Sequence, residues 1–181
     1  MNRPIRDQKL LDALEALPQE PFDGSVWRSV KEGRDPHSCW RCGGRWDDRT
    51  FDVLYTSLSE ECAVEERRFH HFQGQPIPPS KSRYEMFELS VSLEAVIRLD
   101  SLDMLAQIGM DTSIFARMSY AEKHVEYPAS QQIAEACFFL GADGVIVPSA
   151  RLEGGANLIV FCEQRPRPSI STKFGHGVMI F

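Results

Sequence analysis

Apolar and polar positions alternate most cleanly from Phe87 to Leu93, where Phe87, Leu89, Val91 and Leu93 are separated by Glu88, Ser90 and Ser92. A period of two predicts a strand with one buried face. Phe51, Val53 and Tyr55 against Asp52, Leu54 and Thr56 predict a second strand. Ser25 to Val30 predicts a short one after the turn Pro21-Phe22-Asp23-Gly24, and Val145–Val147 and Asn157–Cys162 read as two more around a Glu153-Gly154-Gly155 turn. Helical spacing places Leu10, Leu14 and Leu17 on one face from Asp7 to Leu17, ended by Pro18. Ser101 to Ile108 reads as a short helix stopped by Gly109. Pro128 to Leu140 reads as a longer one, with Ile133, Cys137 and Leu140 on one face and Gly141 after it. Residues 110–127 favour no element, Gln73–Ser82 is a proline-bearing loop, and the tail from Arg165 has the composition of a solvated arm.

One further helix organises the chain. Leu58, Cys62, Glu65, Phe69 and Phe72 step by four, three, four and three, so they share a stripe, and Ser57 with Glu60 forms a capping box before it. Four of the five are apolar and the fifth is a carboxylate. Either Glu65 reaches water from the edge of the stripe, or it is aimed into a cleft to do chemistry.

Composition narrows the class. The chain has 181 residues, 43% hydrophobic and 25% charged, which suits one globular domain with a sizeable core. A net charge of -6 and a pI near 5.4 give no general reason to bind nucleic acid or an anionic membrane. No apolar run nears the roughly 20 residues a membrane span needs, and no apolar signal core follows Met1 to Arg6. Five cysteines, an odd number, do not suggest a disulfide framework, so a cytoplasmic protein is expected.

From Lys31 to Asp48 the chain is polar and irregular, with arginine, tryptophan and the pair Gly43-Gly44. Such a loop is a candidate for holding an anion, because glycine lets backbone N–H groups approach and a guanidinium can clamp phosphate oxygens. Cys39-x-x-Cys42 has no second pair to complete a zinc site and runs into glycines rather than a helix, so it reads as loop cysteines without metal. There is no P-loop, no G-x-G-x-x-G and no G-x-S-x-G.

On these grounds the chain is an α+β domain with a candidate anion-binding, carboxylate-bearing cleft. Trp27-Arg28, Gly43-Gly44-Arg45-Trp46, Val53-Leu54-Tyr55, Ala63-Val64-Glu65 and the run from Gly141 to Pro148-Ser149-Ala150-Arg151 resemble, in that order, the RES domain. That domain is the toxin half of Xre–RES and ParS–ParT-like bacterial toxin–antitoxin pairs. The resemblance covers roughly Val26 to Phe161. It divides the chain into a helical extension (1–24), a RES domain (25–163) and a tail (164–181). The N-terminal helix, the Cys39–Cys42 loop and the basic tail depart from the pattern without touching a motif.

The resemblance implies an ADP-ribosyltransferase-like fold, with antiparallel or mixed sheets around an NAD cleft flanked by helices. It implies the toxin of a type II toxin–antitoxin system, an enzyme that consumes NAD⁺ as substrate, without metal, by cleaving the nicotinamide–ribose bond. Glu65 would stabilise the oxocarbenium-like ribose, Arg28 and Arg45 would hold the diphosphate or the nicotinamide ribose, Tyr55 would stack on nicotinamide, and Ser149 would bond ligand or orient Glu65. ADP-ribose would pass to a protein acceptor, with Gln73–Ser82 as the candidate docking loop; the alternative acceptors, water or phosphate, would make the protein an NAD⁺-depleting glycohydrolase or phosphorylase. A cognate Xre/ParS-like antitoxin would bury the cleft with its C-terminal segment. The competing class is a non-catalytic nucleotide- or peptide-binding module in which Glu65 simply pairs with Arg28 or Arg45. An RNA-cleaving toxin fits poorly with the acidic charge and the lack of a histidine pair among the motifs.

Overall fold

The alternating stretch around Val91 lies within β3 (Arg83–Arg98), the longest strand and the one on which the sheet is assembled. The computed structural model describes residues 6–72, 81–116, 123–164 and 167–180. Along one side of β3 runs β1 (Gln19–Lys31), antiparallel from Gln19↔Ile97 to Lys31↔Tyr84. The other side is shared by β6 (Ser169–Ile180), antiparallel, and β4 (Gly144–Pro148), parallel. Next to β4 lies β5 (Ala156–Phe161), then β2 (Val53–Ser57), and a single pair, Trp27↔Ser57, joins β2 back to β1. The mixed sheet therefore curls closed upon itself, with β6 outside the ring.

Period-two alternation divides the apolar side chains between the two faces of this curl. Val26, Leu54, Leu89, Val91, Leu93, Ile146, Leu158 and Val160 fill one side. Val53, Val145, Val147, Ile159 and Phe161 face the other, where they meet Leu14, Leu105, Ile133 and Cys137. Those four come from α1 (Gln8–Glu15), α3 (Leu102–Gln107) and α4 (Lys123–Phe139). All five residues of β4 are buried, which explains why it reads as a continuous apolar run rather than an alternation. Each buried valine, leucine or isoleucine contributes about 1.5–3 kcal/mol relative to exposure. The remaining helix, α2 (Glu60–Phe72), packs on β1. The fold is α+β, a mixed sheet flanked by helices.

Four expectations are corrected. Pro21 and Gly24 lie inside β1, at and beside a register shift between Glu20 and Phe22, instead of forming a turn; a bulge tolerates the missing N–H. Helix α4 begins at Lys123, so Pro128 sits inside it. The tail is no solvated arm: beyond Pro168, Ile170, Thr172, Phe174, Val178 and Ile180 recur at even spacing, and Ser169–Ile180 adds to β3 as β6. Cys39 is no plain loop cysteine: where no disulfide was expected, it is bonded to Cys162, 123 residues away. The Gln73–Ser82 loop lies outside the described residues except for Lys81 and Ser82.

Candidate active site

A cavity of about 420 Å³ opens where β1, β2, α2, the 40–46 loop and the turn after β4 converge. Its charged walls are four arginines, Arg28, Arg45, Arg67 and Arg151, and one carboxylate, Glu66. That carboxylate is the residue beside the one the stripe selected. Glu65 points away and pairs with Arg68 at 2.6 Å on an exposed face. The reason is helix phase. The buried face of α2 is set by Cys62, Ala63, Phe69 and His71. At about 100° per residue, Glu66 falls close to the mean direction of those four, and Glu65 about 100° from it. Phe72, counted as core in the sequence stripe, is 50% exposed and drew the stripe toward Glu65; Leu58 precedes the helix.

Glu66 is held on one side only. Ser149 Oγ donates to its Oε1 at 2.8 Å and Asn157 Nδ2 donates to the same oxygen at 3.0 Å. Asn157 is itself fixed, its Oδ1 accepting from Ser57 Oγ at 2.7 Å. Ser149 Oγ also accepts from the backbone N–H of Arg151 and Leu152, both at 3.1 Å, which ties it to the turn after β4. Ser149 therefore orients the carboxylate and is not itself among the cavity-lining residues. Oε2 of Glu66 has no hydrogen-bond partner among the described residues. A carboxylate with one oxygen anchored and one bare is preorganised to meet positive charge or a hydroxyl.

The arginines differ in what binds them. Arg28 Nη2 donates to Ser38 O at 2.9 Å, while its buried Nη1 has no partner among the described residues. Burial, and then the charge of Arg67, pushes the Arg28 guanidinium down to about 10, still charged at neutral pH. Arg45 pairs with Glu126, both nearly fully buried, between the rings of Phe115 and Tyr127; its Nη2 likewise has no partner among the described residues. Arg67 spends Nη2 on Ser29 O at 2.8 Å and lies over Tyr84. Arg151 covers the Phe69 ring, its centroid 3.2 Å away. Buried N–H groups almost always find a partner, so two bare ones at the wall of one cavity point to a ligand acceptor.

The double glycine has a different job from the one its composition suggested. The backbone N–H groups of Gly43 and Gly44 donate to the buried Asp47 carboxylate at 2.7 and 2.8 Å, so they are not free for an anion. Gly43 has a φ of +71°, and a Cβ on Gly44 would lie 2.5 Å from the Tyr55 hydroxyl. Tyr55 closes the same knot. Its hydroxyl accepts from the Trp46 N–H at 2.9 Å and donates to Asp47 at 3.1 Å; burial and then Asp47 hold the phenol well above its ordinary range. The ring lines the cavity, but its hydroxyl end is committed to the loop. Cys42 also donates to Asp47. Burial of its sulfur, then that carboxylate, pushes the thiol up to about 11, although the outer surface of the residue is open.

Of the residues singled out in sequence, the structure brings Arg28, Arg45 and Tyr55 to the cavity wall and Ser149 just behind it, and leaves Glu65 outside. Glu66, Arg67, Arg151 and Asn157 were missed. Arg151 stands in the quoted motif, and Asn157 follows the Gly154-Gly155 turn at a strand start, but neither position betrays which way its side chain faces.

Residues 25–174 match the RES domain, most of the chain, and the protein belongs to that family. The match runs past residue 163 into β6. No match was found among curated proteins. Among solved structures, the fold is similar to a chain of the crystal structure of the M.tuberculosis MbcT-MbcA toxin-antitoxin complex. The TM-score is 0.67 at 19% identity, over 94% of this chain and 92% of that one.

Proposed function

We propose that this RES-domain protein is the toxin of a type II toxin–antitoxin pair and cleaves the nicotinamide–ribose bond of NAD⁺ in this cavity. The observation that carries the proposal is the half-anchored Glu66 carboxylate in a wall of arginines, two of which present unpartnered N–H groups. The C1′–N bond breaks with its electron pair leaving on nicotinamide, and the ribose develops oxocarbenium character. Glu66 stabilises that charge through Oε2 and holds a ribose hydroxyl. Arg28 and Arg45 take the diphosphate. A nucleophilic acceptor forms the new bond to C1′ and loses a proton; a protein side chain is the acceptor we favour, which makes the protein a mono-ADP-ribosyltransferase. Tyr55 shapes the nicotinamide end through its ring and holds the 43–47 loop through its hydroxyl.

Toxin–antitoxin pairing in the structurally similar complex supports a cognate antitoxin. In our reading that antitoxin closes the cavity mouth and the site of action is the cytoplasm, where NAD⁺ is available. A disulfide such as Cys39–Cys162 is uncommon in that compartment. No helix among the described residues is long and apolar enough to cross a membrane.

The test is antitoxin-free protein with NAD⁺ labelled in the adenylate, with and without bacterial lysate. Nicotinamide release with label fixed on a protein supports transfer. Release with all label soluble replaces transfer with NAD⁺ depletion. No release in either condition overturns the enzyme and leaves a nucleotide- or peptide-binding module.

A further inference from the structure

Trp40 borders the cavity and is 59% exposed, the only tryptophan so open. Its backbone is nevertheless tied at three successive residues. Cys39 is bonded to Cys162. Trp40 itself exchanges two backbone hydrogen bonds with Val53, at 3.0 and 3.3 Å. Arg41 pairs with Asp52 at 2.8 Å and with Glu163 at 2.7 Å. A bare indole on so fixed a backbone is preorganised, since little ordering is left to be done when a flat partner arrives.

Its position along the cavity identifies the partner. Trp40 bridges to Val53, at the start of β2, whereas Asn157, which anchors Glu66, pairs with Ser57 at the other end. Four residues at about 3.4 Å each put roughly 14 Å between those two registers. Arg28 lies between them. Its neighbour Trp27 pairs with Ser57, and its guanidinium reaches Ser38, two residues before Trp40, with Nη1 bare. Carboxylate, guanidinium and indole thus succeed one another as ribose, diphosphate and base do in a dinucleotide.

We infer that Trp40 is the platform on which the adenine of the dinucleotide stacks. The inference rests on the NAD⁺ reading above and adds a base subsite supplied by the 39–42 loop, the segment that departs from the family's motifs. Stacking on an indole suits a purine without reading its edges.

The experiment compares nicotinamide release from NAD⁺ and from nicotinamide mononucleotide, which lacks the adenylate, for wild type, Trp40→Ala and Trp40→Phe. Trp40→Ala is expected to raise KM for NAD⁺ roughly 10–100-fold, the range seen when a stacking aromatic is truncated. kcat stays near wild type, the parameters for the mononucleotide do not move, and Trp40→Phe recovers most of the loss. Equal effects on both substrates, or none on either, overturn the inference. Calorimetric titration with ADP-ribose gives a readout without turnover, and Trp40→Ala weakens it by a similar factor. If wild type releases nicotinamide from neither substrate, the enzyme reading fails and the titration alone decides: no binding by wild type, or equal binding by Trp40→Ala, overturns the stacking role.

Discussion

Neutralising Glu66 and Glu65 in turn tests the site most directly, because the two neighbours differ in everything but chemistry. In Glu66→Gln the side-chain oxygen can still accept from Ser149 and Asn157, and the new NH₂ replaces an oxygen that no described residue bonds. The fold should hold, with a stability change within about 1 kcal/mol. What disappears is negative charge facing the developing oxocarbenium. Removing one preorganised stabilising group of this kind costs about 2.7–4 kcal/mol of transition-state binding, so kcat should fall about 10²–10³-fold. Glu65→Gln loses only its exposed pair with Arg68, worth about 0.5 kcal/mol or less, and should release nicotinamide at the wild-type rate. Initial rates with saturating NAD⁺, beside a melting curve for each variant, read both quantities. Full activity in Glu66→Gln, or a comparable loss in Glu65→Gln with an unchanged melting curve, would refute the assignment of the carboxylate.

Arg45→Met strands the Glu126 carboxylate, which is 1% exposed. Breaking one side of a buried pair costs about 3–5 kcal/mol, so Tm should drop by roughly 6–20 °C, and an unchanged Tm would show that the pair is not buried in solution. Tyr55→Phe keeps the ring and removes the acceptor for the Trp46 N–H. Stability should fall by about 1–3 kcal/mol, with KM for NAD⁺ rising as the loop loosens. A silent Tyr55→Phe would return Tyr55 to a pure stacking role. The Cys42 thiol, pushed up to about 11, is a thiolate only above that pH. At pH 8 it should alkylate roughly 200-fold more slowly than an ordinary cysteine of pKa about 8.5, measured by mass spectrometry with iodoacetamide; labelling as fast as glutathione would contradict its bond to Asp47.

What the sequence made legible divides along physical lines. Strands with one buried face, such as Phe87–Leu93 and Phe51–Thr56, were visible because alternation records the two faces directly. The end of β6 carried the same even spacing, but two prolines and two arginines ahead of it masked the signal with the composition of an arm. The carboxylate that lines the cavity, Glu66, was missed by one residue because two carboxylates stand side by side. On a helix such neighbours point about 100° apart, and the deciding residue, Phe72, lies near the open end of α2, where apolar side chains are not obliged to be buried. The Gly43-Gly44 pair was recognised as a close-approach loop, but its partner is the chain's own Asp47. Nothing in local spacing could show that Cys39 meets Cys162, a contact made by bringing β5 beside β2.

Overall charge was the least informative quantity of all. A chain of net charge -6 would not be chosen as a ligand for a diphosphate. The field at a site, however, is set by the charges at its walls and by how little water lies between them. Four guanidinium groups and one carboxylate line this cavity, and among the described residues only Arg45 of its arginines has a carboxylate salt bridge, to Glu126. Burial and mutual repulsion make Arg28 a weaker base, with Arg67 its principal like-charged neighbour. On the proposed NAD⁺ reading, the diphosphate would relieve that repulsion while accepting from Arg28 Nη1, so the repulsion within the cluster would itself favour binding. The whole chain carries a net charge of -6, while this clustered positive charge is confined to a pocket of about 420 Å³. On the proposed NAD⁺ reading, that contrast would favour a small phosphate-bearing substrate over a long one, and the preference would be lost if the same arginines were spread over an open face.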